Sequence, residues 1–351
     1  MDMPPLRRGE RFARAIPRLI RLLTVAPDVT LTVLNPLDYG RQALSLSALH
    51  RLFVLANTSS PYDVAHAHFG PNGHAFRFAK ALWKIPFVVT FHGYDFSLWP
   101  RLHGAACYDR LFRVADAVTV NSGHTRDRVA GLGCPVAKIY ELPMGLNLAR
   151  FSFRERTLAP GEPVRLVTVS RLVEKKGLEY AIRAVARARE SHPTLRYDIV
   201  GDGPLRPHLE HLVRRLRLEE SVTFHGARDD EDVRRIMDGA HLFMLASVTA
   251  TNGDQEGQGV VLQEAQARGL PVLATDHGPF PESVVPGRSA FLVPERDVAA
   301  LAERLAYLVG RPEVWPEMGR VGRAYVEEKY DIRRLNRRLV ELYHHIGVPV
   351  A

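Results

Sequence analysis

Glu256-Gly257-Gln258-Gly259-Val260-Val261-Leu262-Gln263-Glu264, followed by Ala265, Ala267 and Gly269-Leu270-Pro271, is the stretch from which the fold is read. A Gly-rich turn opens into a helical pattern from about residue 259, and a strand is expected at 271–274. The first N–H groups of such a helix have no intrahelical acceptor, so the turn is a ready anion site. Gly257 and Gly259 let a ligand approach the backbone closely. Glu256 and Glu264 are eight residues apart, roughly 12 Å if the whole span were helical. That reach suits a nucleoside diphosphate sugar: diphosphate over the glycines, one carboxylate on the sugar hydroxyls, the other on the ribose. Taken alone, the pair reads equally as a helix with two solvated glutamates.

The alternation of strand and helix continues outward. Upstream come strands at 165–169, 197–200, 222–224 and 241–246, with helices at 177–190, 205–217 and 230–238 between them. Downstream come a strand at 290–293 and helix patterns at 297–309 and 331–345. Nearer the N-terminus, 62–69, 85–91 and 117–120 read as short buried strands, the last ending at the helix-cap signal Asn121-Ser122. Alternation of this kind predicts parallel sheets covered on both faces. Residues 143–163, with Pro143, Gly145, Pro160, Gly161 and Pro163, read as a linker. Two doubly wound α/β halves joined this way are expected to take a ligand beyond the C-terminal ends of their strands.

The 351 residues suit two domains, and 46% hydrophobic with 25% charged residues is ordinary for a globular protein. No apolar run reaches the length of a membrane span and no signal peptide is legible. Cys107 and Cys134 are too few for a disulfide framework, so a reducing cytoplasm is the expectation. A net charge of +8 permits nucleic acid, an anionic membrane or a phosphorylated substrate without choosing among them. Arginine dominates the cations, and lysine occurs only at 80, 84, 138, 175, 176 and 329. Arg7, Arg11, Arg14, Arg18 and Arg21 share a spacing with Phe12, Ile16, Leu19 and Leu23, a basic amphipathic helix interrupted at Pro17. It is either an interfacial membrane helix or a helix packed on its own domain with a solvated Arg face.

Strand ends carry the candidate chemistry. Arg171 lies just past strand 165–169 and Lys176 just before the next helix, where two cations can neutralise a diphosphate and stabilise it as a leaving group. Gly201-Asp202-Gly203-Pro204 is a tight turn after the next strand, and His225-Gly226 lies on the same edge. His92 follows strand 85–91 directly, where it can bond a sugar hydroxyl or position an acceptor. His66, His68 and His74 cluster nearby without an acidic or Cys partner set of zinc-like spacing, so no metal is expected. GxGxxG, Walker A and GxSxG sequences are missing from the strand–turn–helix positions.

The ordered set HAHFG (66–70), FHGYD (91–95), VNSGHTRDRVAGLG (120–133), SRLVEKKG (170–177), GDGPLRPHLE (201–210), VTFHG (222–226) and NGDQEGQGVVLQEAQARGLPVLAT (252–275) resembles the GT-B retaining glycosyltransferases of family 4. The branches it resembles act in exopolysaccharide or colanic-acid-type assembly. The resemblance implies an acceptor-side domain over 1–147, a linker at 148–163, a donor domain over 164–328 and a C-terminal helix, 329–351, crossing back. It implies a UDP-sugar or GDP-sugar donor, no metal or cofactor, and a saccharide or polyprenyl-linked acceptor, with no nucleic acid as partner. The enzyme would be cytoplasmic and peripheral at the inner face of an anionic membrane. By position, Arg171 and Lys176 would bind the diphosphate, with N–H groups around Gly257, Gly259 and Val260. Glu256 would contact the transferred sugar, Glu264 the ribose, and His92 would lie beside the reacting carbon. Gly201, His225 and Asp254 would be base or sugar contacts.

Two departures from the family pattern stand out. Gln258 replaces an aromatic or apolar residue, which implies a shifted donor preference. No strand and Gly-containing loop are legible ahead of the Arg-rich segment, so the first domain is expected to lack its first β-α-β portion. Val29 to Val33 alternates like a strand, but the resemblance implies helical structure there. The rival readings are a donor-binding module without turnover and another GT-B enzyme such as a sugar-nucleotide 2-epimerase.

Overall fold

Four parallel strands make the first sheet: β1 (Ala65–His68), β2 (Phe87–Phe91), β3 (Ala117–Val120) and β4 (Ile139–Glu141), in the order β1-β2-β3-β4. The computed structural model describes residues 7–58 and 62–349, so the outer ends of the first and last predicted segments lie outside the described residues. The chain forms two compact units. The first comprises Met1–Val120, Arg126–Glu141 and Arg338–Ala351; the second comprises Asn121–Thr125 and Leu142–Arg337.

In the first unit the period-2 pattern works as sheet geometry requires. Phe87, Val89, Phe91, Val118 and Val120 meet Phe96, Tyr108, Leu111 and Phe112 on one face. Val88 and Ala117 face the other way and meet Leu342 and Tyr343 of the C-terminal helix. Both faces are thereby covered, as an all-parallel sheet demands. Helices Arg8–Val25, Pro27–Leu34 and Ser47–Ala56 gather separately around Leu22, Val33, Leu49 and Leu52, with Phe78.

The helix Arg8–Val25 runs through Pro17. Val29 to Val33 is helical: Pro27 opens the turn, Asp28 favours its N-terminus, and Thr30 and Val33 are buried one turn apart. The strand-like alternation there is overridden. Among the described residues no strand pairs with the outer edge of β1.

The second unit holds β5 (Arg165–Val169), β6 (Arg196–Val200), β7 (Val222–Gly226), β8 (Leu242–Leu245), β9 (Val272–Thr275) and β10 (Ala290–Val293). All are parallel, in the order β10-β9-β8-β5-β6-β7. This is the doubly wound order of a dinucleotide-binding sheet, with its switch point between β5 and β8. Leu166, Leu242, Met244 and Leu273 face helices Leu178–Ser191 and Val298–Gly310. Their neighbours Val167, Phe243, Leu245 and Val272 face helix Val260–Ala267.

Residues 143–163 are mostly irregular but not loose. Buried Arg156 donates to the carbonyls of Asp238, Ala240 and Arg268 at 2.7, 3.0 and 2.8 Å. Burial lowers its guanidinium to about 10. Among the elements that escape the sequence patterns are helix Ser47–Ala56, the three-residue β4 and the helix Trp315–Lys329. That helix contains Gly319, where a Cβ would stand 2.5 Å from the Gly269 carbonyl, so close packing explains a residue that weakens the helical pattern.

Candidate active site

The C-terminal ends of β5 and β8, at the switch point of the second sheet, carry the loops that hold the candidate residues. After β5 the chain makes a 3-10 turn, Glu174–Lys176, and enters helix Leu178–Ser191 through Gly177 at φ +62°. A Cβ on Gly177 would stand 1.7 Å from the Ala246 carbonyl just past β8, so only glycine allows the two loops to touch. Val248 N–H donates to the Lys175 carbonyl at 2.8 Å. The adjacent loop is locked in the same way. A Cβ on Gly201 would lie 1.9 Å from the Ser170 carbonyl, and Leu172 exchanges backbone bonds with Asp202 and Leu205 at 2.9 and 3.1 Å.

This close packing brings the adjacent lysines onto the 254–256 loop. Lys176 Nζ stands 3.0 Å from Glu256 Oε1, the two side chains only 12% and 10% exposed. Lys175 Nζ pairs with Asp254 at 3.1 Å and donates to the Gln255 carbonyl at 3.2 Å. Burial pushes the Glu256 carboxyl up, but the charges of Lys176 and Lys175, with a hydrogen bond from Lys176, outweigh it and hold the group below the usual carboxylate range. Glu256 is therefore an anion at neutral pH, already matched by a cation.

Beyond it the span to Glu264 is only half helical, because helix Val260–Ala267 begins after Gly259. The fully helical distance expected between the glutamates therefore does not apply. Gly259 caps the helix at φ +73°, ψ 53°, with its missing Cβ 2.5 Å from the Phe280 ring. Gln258 accepts from Met144 N–H at 2.7 Å and donates to the Met144 carbonyl at 3.0 Å. Its polar group is thus used to anchor backbone.

Glu264 stands in the opposite environment to Glu256. Burial raises its carboxyl, Arg268 offsets this only in part, and Asp230 adds to the rise. It has no hydrogen-bond or ion-pair partner among the described residues. Arg171 is exposed and likewise makes no ion pair among them. Of the remaining candidates, Asp254 is held by Lys175, and His225 Nε2 is bonded to Asp198 at 2.6 Å. The Gly201 N–H donates to the Gly226 carbonyl at 2.9 Å.

In the first unit, Asp95 is fully buried and pins the turn that carries His92. It accepts from His92 N–H at 2.9 Å, Gly93 N–H at 2.8 Å and Gly70 N–H at 3.0 Å. His66, His68 and His92 stack in a row, with ring centroids 4.8 and 5.2 Å apart. His92 Nε2 lies 3.0 Å from His68 Nδ1. Burial and the neighbouring rings lower His66 and His92 to about 4, so both are neutral at pH 7. His66 bonds Tyr343 and Thr90 through its two ring nitrogens, and His92 bonds His68.

Residues 149–324 match the family described as glycosyl transferases group 1, and residues 4–145 the glycosyl transferase 4-like domain. The chain is 37% identical over 322 residues to the protein of Escherichia coli (strain K12) named as a colanic acid biosynthesis glycosyltransferase, WcaL. That match covers 89% of this chain and 78% of the other. It is 32% identical over 346 residues to the amylovoran biosynthesis glycosyltransferase AmsK of Erwinia amylovora, covering 97% and 82%. In fold it is similar to Anabaena Alr3699/HepE, solved in complex with UDP. The TM-score is 0.72 at 20% identity, over 87% of this chain and 83% of that one. The chain is a family 4 glycosyltransferase of the GT-B fold.

Sequence reasoning missed part of the architecture that supports Glu256 in this glycosyltransferase. Buried His277 accepts from Glu256 N–H through Nε2 at 3.2 Å, and its Nδ1 lies 2.5 Å from Glu295 Oε1. An Nε2 that accepts carries no proton, so Nδ1–H donates to Glu295. Glu295 in turn accepts from Thr249 N–H at 2.8 Å. This chain of bonds ties the ends of β9 and β10 to the loop that presents Glu256. The signal was available: His277 follows β9 and Glu295 follows β10, on the same carboxyl edge as the residues that were found.

Proposed function

We propose that this glycosyltransferase moves a sugar from a UDP-sugar or GDP-sugar to a saccharide or polyprenyl-linked saccharide in surface polysaccharide assembly. The transfer would proceed with retention and without a metal. The observation that carries the reading is the nearly buried Lys176–Glu256 pair at the switch point of the second sheet, where doubly wound folds bind nucleotides. The names of the WcaL and AmsK relatives supply the pathway class.

In this mechanism Arg171 and Lys176 take the diphosphate, aided by the N-terminus of helix Val260–Ala267 behind Gly257, Gly259 and Val260. They supply the positive charge that a divalent cation would otherwise bring. Glu264, raised and without an ion-pair partner among the described residues, suits the ribose hydroxyls. Glu256, kept anionic, suits the sugar hydroxyls and the positive charge that develops at the anomeric carbon. On the front face the bond from that carbon to the phosphate oxygen breaks as the bond to the acceptor oxygen forms. The acceptor's proton passes to the departing phosphate. His92, neutral, positions the acceptor hydroxyl.

The setting we propose is the cytoplasmic face of the membrane. No described helix is long and apolar enough to cross a bilayer. Phe12, Ile16, Ile20 and Leu23 lie exposed along helix Arg8–Val25, which also carries exposed Arg14 and Arg21. The test is incubation with UDP- and GDP-sugars and undecaprenyl-diphosphate-linked saccharides. Transfer with retained anomeric configuration in the presence of EDTA is expected. Conversion of the nucleotide sugar to its epimer without acceptor, or no turnover by folded protein across the panel, would overturn the reading.

A further inference from the structure

Phe69 is held in a backbone conformation that its residue type disfavours, and its ring is spent on solvent. It has φ +71° and ψ 130°, whereas Leu46 and Lys84, also at positive φ, have ψ of 11° and 40° near the left-handed helical well. Strain of this kind persists only where the surroundings over-determine it. Here they do. Phe69 N–H donates to the Thr90 carbonyl at 2.8 Å, and Gly70 N–H is fixed by Asp95. A Cβ on Gly70 would lie 2.6 Å from the Phe91 ring. The strain is not repaid by burial, since Phe69 is 42% exposed.

The strained turn sets the Phe69 ring against His92, centroids 4.5 Å apart and planes tilted by 46°. His92 continues into the stack with His68 and His66. On the other side of the turn Tyr94 is exposed, with Trp99 edge-on at 5.9 Å. The carboxyl end of β1 and β2 is thus bordered by aromatic rings that are partly open to solvent.

We propose that Phe69 is the platform of a saccharide subsite, its ring stacking on the apolar face of an acceptor pyranose beside His92. The C–H groups on one side of a pyranose carry partial positive charge, and the face of an aromatic ring is negative. A phenyl ring has few rotors to freeze, so it offers contact area at low entropic cost. The inference rests on the glycosyltransferase reading and adds to it a named acceptor contact.

The test compares Phe69→Gly and Phe69→Tyr with wild type. Binding of methyl glucoside, galactoside and mannoside is read by saturation-transfer NMR in the presence of UDP, UDP affinity by calorimetry, and folding by thermal midpoint. Glycine suits the backbone, so Phe69→Gly is expected to melt no lower than wild type and to bind the glycosides about tenfold more weakly. UDP affinity should stay within twofold, and Phe69→Tyr should bind glycosides as wild type does. A lowered midpoint with wild-type glycoside binding would make Phe69 a packing residue and overturn the proposal. A parallel loss of UDP affinity would assign the ring to the nucleobase instead. Wild type that binds UDP but none of the glycosides also overturns the subsite. Wild type that binds no UDP or GDP removes the underlying reading.

Discussion

At the residue scale, the two glutamates of the Gly-rich motif are shifted in opposite directions, Glu264 up by burial and Glu256 down because its lysines outweigh burial, and their variants should differ too. Lys176→Ala should weaken donor binding about tenfold and lower turnover with it, because the same cation meets the phosphate in the ground and transition states. Glu256→Ala should cost turnover ~10²-fold while UDP affinity changes little, because its partner is the sugar. Steady-state kinetics with calorimetry separates them, and equal loss of UDP binding in the Glu256 variant would refute the division. Glu264 makes a prediction of opposite sign for stability. Its carboxyl is raised in the folded protein, so the stability it contributes is present at low pH and lost as pH rises through its folded value. Glu264→Gln should therefore raise the thermal midpoint near neutral pH, and less at acid pH, while weakening UDP binding about tenfold through a poorer ribose bond. Arg171 and Lys176 were legible as candidates because they lie in the loop between β5 and the next helix, and Glu256 and Glu264 because a Gly-rich turn opening a helix separates them. The Lys176–Glu256 pairing was not, because sequence spacing says nothing of which loop crosses which.

Elements tell a similar story. The strands of both sheets were legible where apolar residues crowd together, as in Phe87–Phe91 and Leu242–Leu245. β4 was not, because Ile139–Glu141 is too short to show a period and gains its place from β3. Val29, Leu31 and Val33 alternate as a strand would, whereas the helix that the resemblance implied is what forms, because Pro27 and Asp28 open a helical turn there. His277 shows what one element end can do to another. His277→Phe would leave the buried Glu256 N–H without its acceptor, at about 1–3 kcal/mol. The expected result is a lower thermal midpoint and a loss of turnover larger than the loss of UDP affinity. His277→Gln, whose amide can both accept from Glu256 N–H and donate to Glu295, should restore most of it. Identical behaviour of the two variants would show that the site only needs its volume filled.

At the scale of the whole molecule, each unit owns a parallel sheet covered on both faces, and each was visible as a run of alternating elements. The helical cluster around Leu22, Val33 and Leu49 was visible only in part, because its function as packing depends on which face of Arg8–Val25 turns inward. Ala15 and Leu22 do, leaving Phe12, Ile16, Ile20 and Leu23 outside. Vesicles containing anionic lipid should therefore sediment the protein, and neutral vesicles should do so less. A double substitution, Ile16→Ser with Ile20→Ser, should weaken sedimentation at least tenfold without changing UDP affinity. Unchanged sedimentation would remove the helix from the membrane reading.

Arg156 has a consequence for the order in which the second unit assembles. Its guanidinium collects carbonyls from the ends of two helices, at Asp238 and Arg268, and from Ala240 beside them. Those acceptors exist as a set only after both helices have stopped where they stop. The segment that carries Arg156 is therefore expected to settle late, downhill of the folding barrier. Arg156→Met should speed unfolding severalfold and leave the refolding rate nearly unchanged, a pattern that stopped-flow chevrons resolve. The arginine then acts as a latch on lifetime: it governs how long the finished domain persists and not how quickly it is made.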